Sequence, residues 1–119
     1  MEENRQQTER TDYINFEDFV KINLRIGTIK NAVPHPDADK LLVLKVDLGE
    51  KEIQLVAGIR KTYEPETLPG KQIVVVENLK PRKLRGVESQ GMLLAASGSD
   101  EGPILISPEK SISAGSRVG

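Results

Sequence analysis

Lys80, Arg82, Lys83 and Arg85 place four cations within six residues, with no acid among them. Such a cluster is a natural seat for phosphates, because each phosphate it neutralises releases condensed counterions. The plainer reading is a solvated loop kept soluble by its charge, which is what most charge runs are. This run is short, however, and it lies between two apolar segments, Ile73 to Val76 and Met92 to Ala96. Pro81 cannot donate to a sheet ladder, and Gly86 and Gly91 tolerate positive φ. The cations are therefore expected on an exposed bend beside a sheet. Three neighbours offer further contacts. Asn78 fits a base edge or a 2′-hydroxyl, or else caps a strand end. Ser89 fits a phosphate, or else closes a turn. Met92 fits a soft apolar platform for a base, although on residue type alone the core is the better place for it.

Other chemistries lack their residues. His35 is the single histidine and cysteine is absent, so neither a transition-metal site nor thiolate chemistry is expected. The turn His35-Pro36-Asp37-Ala38-Asp39 has too few ligands for a hard cation. In Gly86-Val87-Glu88-Ser89-Gln90-Gly91 two residues separate the first glycine from the serine, where a nucleophile elbow has one. No phosphate-loop or dinucleotide glycine pattern occurs. The expectation is a non-catalytic chain with no cofactor and no metal.

Charge and aromatic content narrow the binding reading. Residues 1–12 carry Arg5 and Arg10 against Glu2, Glu3, Glu9 and Asp12, so they hold −2 of a net charge of −1 and leave +1 to the remainder. A nearly neutral domain with one concentrated basic patch suits a selective binder better than an indiscriminate polyanion coat. The aromatic side chains are Tyr13, Phe16, Phe19 and Tyr63, and none falls in a segment that reads as a strand. General single-strand binders stack bases on aromatic sheet faces, so recognition of a folded RNA by shape and phosphate is the better fit.

The elements that position these residues read as a small β domain. At 119 residues the chain suits one domain with its own core. Residues 1–12 are polar and lack apolar periodicity, which predicts a disordered arm; residues 13–119 form the domain. Asn15 to Val20 predicts a short helix, with Asn15 as cap, Asp18 completing a capping box, and Phe16, Phe19 and Val20 on one face. Leu24 to Val33 predicts a first strand, with Gly27 a bulge or a close-approach point. Leu41 to Leu48 alternates Leu42, Leu44, Val46 and Leu48 against Lys45 and Asp47, and Glu52 to Ala57 alternates likewise. These two make a hairpin. Residues 58–70 interrupt with a helical turn or two. Gln72 to Glu77 is a fourth strand, a fifth begins near Gly91, and Ile104 to Ile106 adds an edge strand. Pattern alone gives a small barrel or sandwich. No apolar run approaches a membrane span, and the first residues are charged rather than apolar, unlike a secretory signal. The expected compartment is the cytoplasm, with no membrane partner.

The stretch Asn78-Leu79-Lys80-Pro81-Arg82-Lys83, followed by Gly86 and Ser89-Gln90-Gly91-Met92, resembles the signature of the tRNA-binding domain family. That family includes stand-alone homodimeric tRNA-binding proteins, the C-terminal domain of methionyl-tRNA synthetase and the endothelial-monocyte-activating-polypeptide-like domains. Leu24-Arg25-Ile26-Gly27, His35-Pro36-Asp37-Ala38-Asp39-Lys40-Leu41, Val46-Asp47-Leu48-Gly49, Val56-Ala57-Gly58-Ile59 and Leu94-Ala95-Ala96 also match, in family order, over roughly residues 14–118. The resemblance implies an all-β fold: a five-stranded oligonucleotide-binding (OB) Greek-key barrel with short helical segments. It implies a structure-selective tRNA-binding module, stand-alone or associated with methionyl-tRNA synthetase, that catalyses nothing itself. The implied RNA contacts are Asn78, Lys80, Arg82, Lys83, Arg85, Ser89 and Met92, with Lys40 of the first inter-strand loop in second rank. A homodimer is implied, because the chain stops short of the C-terminal extension that imitates a second subunit in longer members. Candidate interface residues are Phe16, Phe19, Ile104, Ile106 and Ile112. A synthetase is a further candidate partner. A secretion-chaperone branch shares the fold, and its alternative is a peptide-binding homodimer.

Overall fold

The computed structural model describes residues 12–98 and 100–119. The arm expected over residues 1–12 lies outside them but for Asp12.

The backbone of the fold is one long strand, β1 (Leu24–Pro34), which pairs on both sides. Its second half pairs antiparallel with β2 (Leu42–Asp47), and its first half with β4 (Gln72–Val76). β2 and β3 (Glu52–Ala57) form the expected hairpin, in register from Leu42↔Ala57 to Asp47↔Glu52. β4 then pairs with β7 (Met92–Leu93), which completes a five-strand path β3-β2-β1-β4-β7. β10 (Arg117–Val118) adds to β1 beside Leu24 and Arg25. Between β4 and β7 lies a separate hairpin of β5 (Arg82–Leu84) and β6 (Val87–Ser89); after β7, β8 (Ala95–Ser97) pairs with β9 (Pro103–Leu105). Just before β7 the chain is bonded to β3, at the path's other end: Gln90 N–H donates to Gln54 O at 2.7 Å and Val56 N–H donates to the Ser89 hydroxyl at 3.0 Å. This nearly closed barrel is the small all-β OB-type fold.

The alternation in the sequence is what fills the barrel. Leu42, Leu44 and Val46 of β2 and Leu55 of β3 are fully buried, together with Ile29, Leu48, Ile73 and Val75. Ile59 and Leu68 of the insertion plug the same core. The insertion contains a single 3-10 turn, Pro65–Thr67. Gly27 proves to be a close-approach point: a Cβ there would run into Val46. The bulge in β1 lies instead between Ile29 and Asn31.

Two local expectations need correction. The helix α1 (Phe16–Phe19) exists and Asn15 occupies its N-cap position, but its side chain makes no capping bond. The Asn15 carbonyl already takes the Asp18 and Phe19 N–H groups, and Asp18 pairs forward with Lys21 at 3.3 Å. The fifth strand is broken. Leu94 N–H still donates to Val74 O, but Val74 N–H donates to Ile106 O and Ile106 N–H to Leu94 O, so from Ala95 on the chain leaves β4 and pairs with β9.

Candidate nucleic-acid interface

The basic stretch is not an open bend but a hairpin. Leu84 faces Val87 across a two-residue loop, Arg85-Gly86. Arg85 has φ 51° and Gly86 φ 88°, the positive pair that a type I′ turn requires. The glycine makes the turn possible, and Arg85 is the one non-glycine residue at positive φ among the described residues.

Once the register is fixed, the four cations separate. Arg82 stands opposite Ser89 and Leu84 opposite Val87, while Lys83 alternates to the other face beside Glu88. Arg82 and Lys80 line a cleft of about 300 Å³ whose apolar walls are Val56, Leu79, Leu84 and Met92. Arg85 turns the other way. With Lys40, Asp37 and Asp39 it lines an open depression of about 520 Å³, and its Nη2 donates to Asp37 O at 3.1 Å. Lys40 is thus brought beside the hairpin, as its place in the first inter-strand loop suggests. None of Lys80, Arg82, Lys83 and Arg85 forms an ion pair among the described residues.

The uncharged candidates take structural places. Asn78 Oδ1 accepts from Asn23 N–H at 2.8 Å, and its Nδ2 donates to Lys21 O at 2.6 Å, so the amide ties the end of β4 to the segment after α1. Ser89 is 3% exposed; its hydroxyl accepts from Val56 N–H and donates to Gly91 O at 3.0 Å, closing the turn before β7. Met92 does not join the core. It is 49% exposed on the outer face of β7, because its neighbour Leu93 takes the inward position. Nothing in residue type marks Gln54 and Gln90 as parts of the site. Yet Gln54 N–H donates to Gln90 Oε1 at 2.7 Å and Gln54 Nε2 donates to Glu88 O at 2.8 Å, fastening the hairpin to β3.

The start of β1, the β2–β3 turn and the end of β4 are held together by a charged network. Arg25 grips both Glu50 oxygens at 2.7 and 2.8 Å and Glu77 at 3.2 Å, and donates to the carbonyls of Leu48 and Gly115. Lys51 pairs with Glu77 at 2.7 Å. The Arg25 hydrogen bonds hold the Glu50 carboxyl down at about 2. The Lys51 hydrogen bond, then that of Arg25, holds Glu77 below the usual carboxylate range, and Arg25 itself is raised, chiefly by Glu50.

The family model described as "Putative tRNA binding domain" matches residues 24–117. The chain belongs to the tRNA-binding domain family. It is 49% identical over 118 residues to methionine–tRNA ligase of Pyrococcus horikoshii, a match that covers 99% of this chain and 16% of the ligase. The chain thus spans about a sixth of the curated relatives it matches. Among solved structures, a MetRS-related protein from Pyrococcus horikoshii is 38% identical with a TM-score of 0.85, covering 92% of this chain and all of the other. The chaperone CsaA from Bacillus anthracis is 34% identical with a TM-score of 0.82, covering 90% and 99%. The family resemblance carried by the basic stretch and by the earlier motifs is borne out, as is the fold it implied.

Proposed function

We propose that this domain binds folded tRNA through the β5–β6 hairpin and catalyses no reaction itself. It serves a methionine–tRNA ligase, as an appended domain or a separate subunit, and works in the cytoplasm as a symmetric homodimer. The observation that carries the reading is the pairing of two unpartnered cations, Lys80 and Arg82, with one cleft on a hairpin fastened to the barrel. Phosphate oxygens meet the cations, and an unstacked nucleoside meets the apolar walls of Leu79, Leu84 and Met92. Lys40 and Arg85 add two cations on the hairpin's other side, beside Asp37 and Asp39. Among the described residues no helix is long and apolar enough to cross a membrane.

The same apolar walls favour a second reading, an extended peptide held as by a chaperone, which the likeness to CsaA supports. A mobility-shift assay with bulk tRNA and an unfolded polypeptide as competitor separates the two. The tRNA reading expects a retarded tRNA band that excess polypeptide leaves in place. Loss of the band to the polypeptide, or no band at all, overturns it.

A further inference from the structure

The connection between β1 and β2 carries the chain's one histidine, and only 4% of His35 is exposed. Its ring joins two segments. Nδ1 lies 2.9 Å from the main-chain nitrogen of Asp37, which can only donate, so Nδ1 is the acceptor. The ring proton then sits on Nε2, which donates to the Leu84 carbonyl at 3.0 Å. Leu84 stands between Lys83 and Arg85 at the end of β5. The imidazole therefore fastens the hairpin tip to the loop that carries Lys40.

The two arms of the hairpin are held differently. β6 and its continuation are bonded to β3 through Ser89, Glu88 and Gln90. β5 is the arm with the cations. Beyond its ladder to β6, its end is tied to the loop by the His35–Leu84 bond and the neighbouring Arg85–Asp37 bond. A two-stranded hairpin of three-residue arms is marginal by itself.

We propose that His35 is the positioning residue of the RNA-contacting hairpin. As the Nε2–H tautomer it locks Leu84 to the β1–β2 loop, and so holds Arg82 at its cleft and Arg85 beside Lys40 as one surface. The proposal rests on the tRNA reading of that hairpin. A histidine that merely filled space would be replaceable by an apolar side chain of similar volume. The lock instead needs an acceptor at Nδ1 and, farther out, a donor at Nε2. A glutamine amide reaches the Leu84 carbonyl; an asparagine reaches only the Asp37 N–H.

The test compares His35→Gln, His35→Asn and His35→Leu, each by amide hydrogen exchange and by titration with bulk tRNA, alone and combined with Arg82→Ala. The hairpin amides of Leu84 and Val87 are expected to lose protection in the Asn and Leu variants while β2 and β3 keep theirs. tRNA affinity falls about tenfold in both, the scale of one hydrogen bond's net worth, and Gln restores most of it. In the Asn background, Arg82→Ala costs less than in the wild type, because the guanidinium is no longer held in place. If the Leu variant does not fold, the contrast between Gln and Asn decides alone. Unchanged protection in His35→Asn overturns the lock, and lost protection with intact affinity overturns the positioning role. Failure of the wild type to bind tRNA is a different result: it removes the tRNA reading, while the exchange data still decide the lock.

Discussion

At the scale of single residues, the register of the β5–β6 hairpin ranks the cations. Arg82 and Lys80 share a cleft, whereas Lys83 faces away from it beside Glu88. Replacing Arg82 with alanine is expected to weaken tRNA binding about tenfold or more, the scale of a charge-assisted bond, and to lower the salt slope by about one unit. Lys83→Ala is expected to cost less than about threefold. Binding isotherms at several salt concentrations check both, and equal losses at the two positions would contradict the ranking. Arg85 makes a second case. A non-glycine residue in the left-handed region is strained by about 1–2 kcal/mol, and asparagine tolerates that region better. Arg85→Asn relieves that strain but gives up the bond to Asp37 O, so it should leave thermal stability close to the parent's while binding tRNA more weakly. A drop in melting temperature with unchanged affinity would reverse the assignment. The cation cluster was plain in the sequence because charge is local. Its division between faces was not, since that depends on a two-residue turn set by Gly86. The commitments of Asn78 and Ser89 to main-chain groups were equally hidden. Their partners, Lys21, Asn23 and Val56, lie more than 30 positions away.

At the scale of elements, the strands were legible wherever one face is buried. β2 shows period-two burial because the core lies on one side of it, and β3 does so as far as Leu55, beyond which Val56 and Ala57 are both buried. The split of the fifth strand was not legible, because Met92 to Ala96 is one apolar run whose halves choose different neighbours, β4 and β9. The Arg25 network was invisible for a similar reason: it joins β1, the β2–β3 turn, the end of β4 and the segment before β10. It makes a pH prediction. Glu50 and Glu77 have folded-state values below their ordinary 4.5. Their contribution is therefore fully present above about 4.5 and is lost as pH falls below it, down to about 2 for Glu50. Stability to denaturant should decline across that window. Glu77→Gln should lower stability at neutral pH by about 1–3 kcal/mol, as loss of a bond to a charged partner does, and flatten the acid decline. Urea titrations from pH 2.5 to 7 measure both, and an acid profile identical in parent and variant would exclude Glu77 as a source of it.

At the scale of the whole molecule, the surface that remains is apolar at the positions proposed for a subunit interface. Phe16 is 73% exposed and Ile112 50%, with Phe19, Ile104 and Ile106 also exposed. Ile112 is held in place, since Gln72 accepts from its N–H at 3.1 Å and donates to its carbonyl at 2.6 Å. Ile104 and Ile106 flank Leu105, whose N–H is bonded to the Tyr63 hydroxyl and whose side chain packs on the core. These side chains are therefore presented on fixed backbone, as an interface needs, and a two-fold dimer would cover them. Dimerisation also answers a problem of affinity. One hairpin offers two cations to its cleft and a third beside Lys40, a small electrostatic footprint for a polyanion. Two hairpins on one particle raise the effective concentration of the second contact once the first has formed. The spacing between them would then select a folded tRNA over an unstructured RNA of equal length. Light scattering at micromolar concentration is expected to give twice the chain mass. Ile104→Asp combined with Ile106→Asp should give a folded monomer whose tRNA affinity falls by at least about tenfold and whose preference for folded RNA disappears. A monomeric parent with full affinity and the same preference would show that one hairpin suffices, and would leave the exposed isoleucines to a ligase partner.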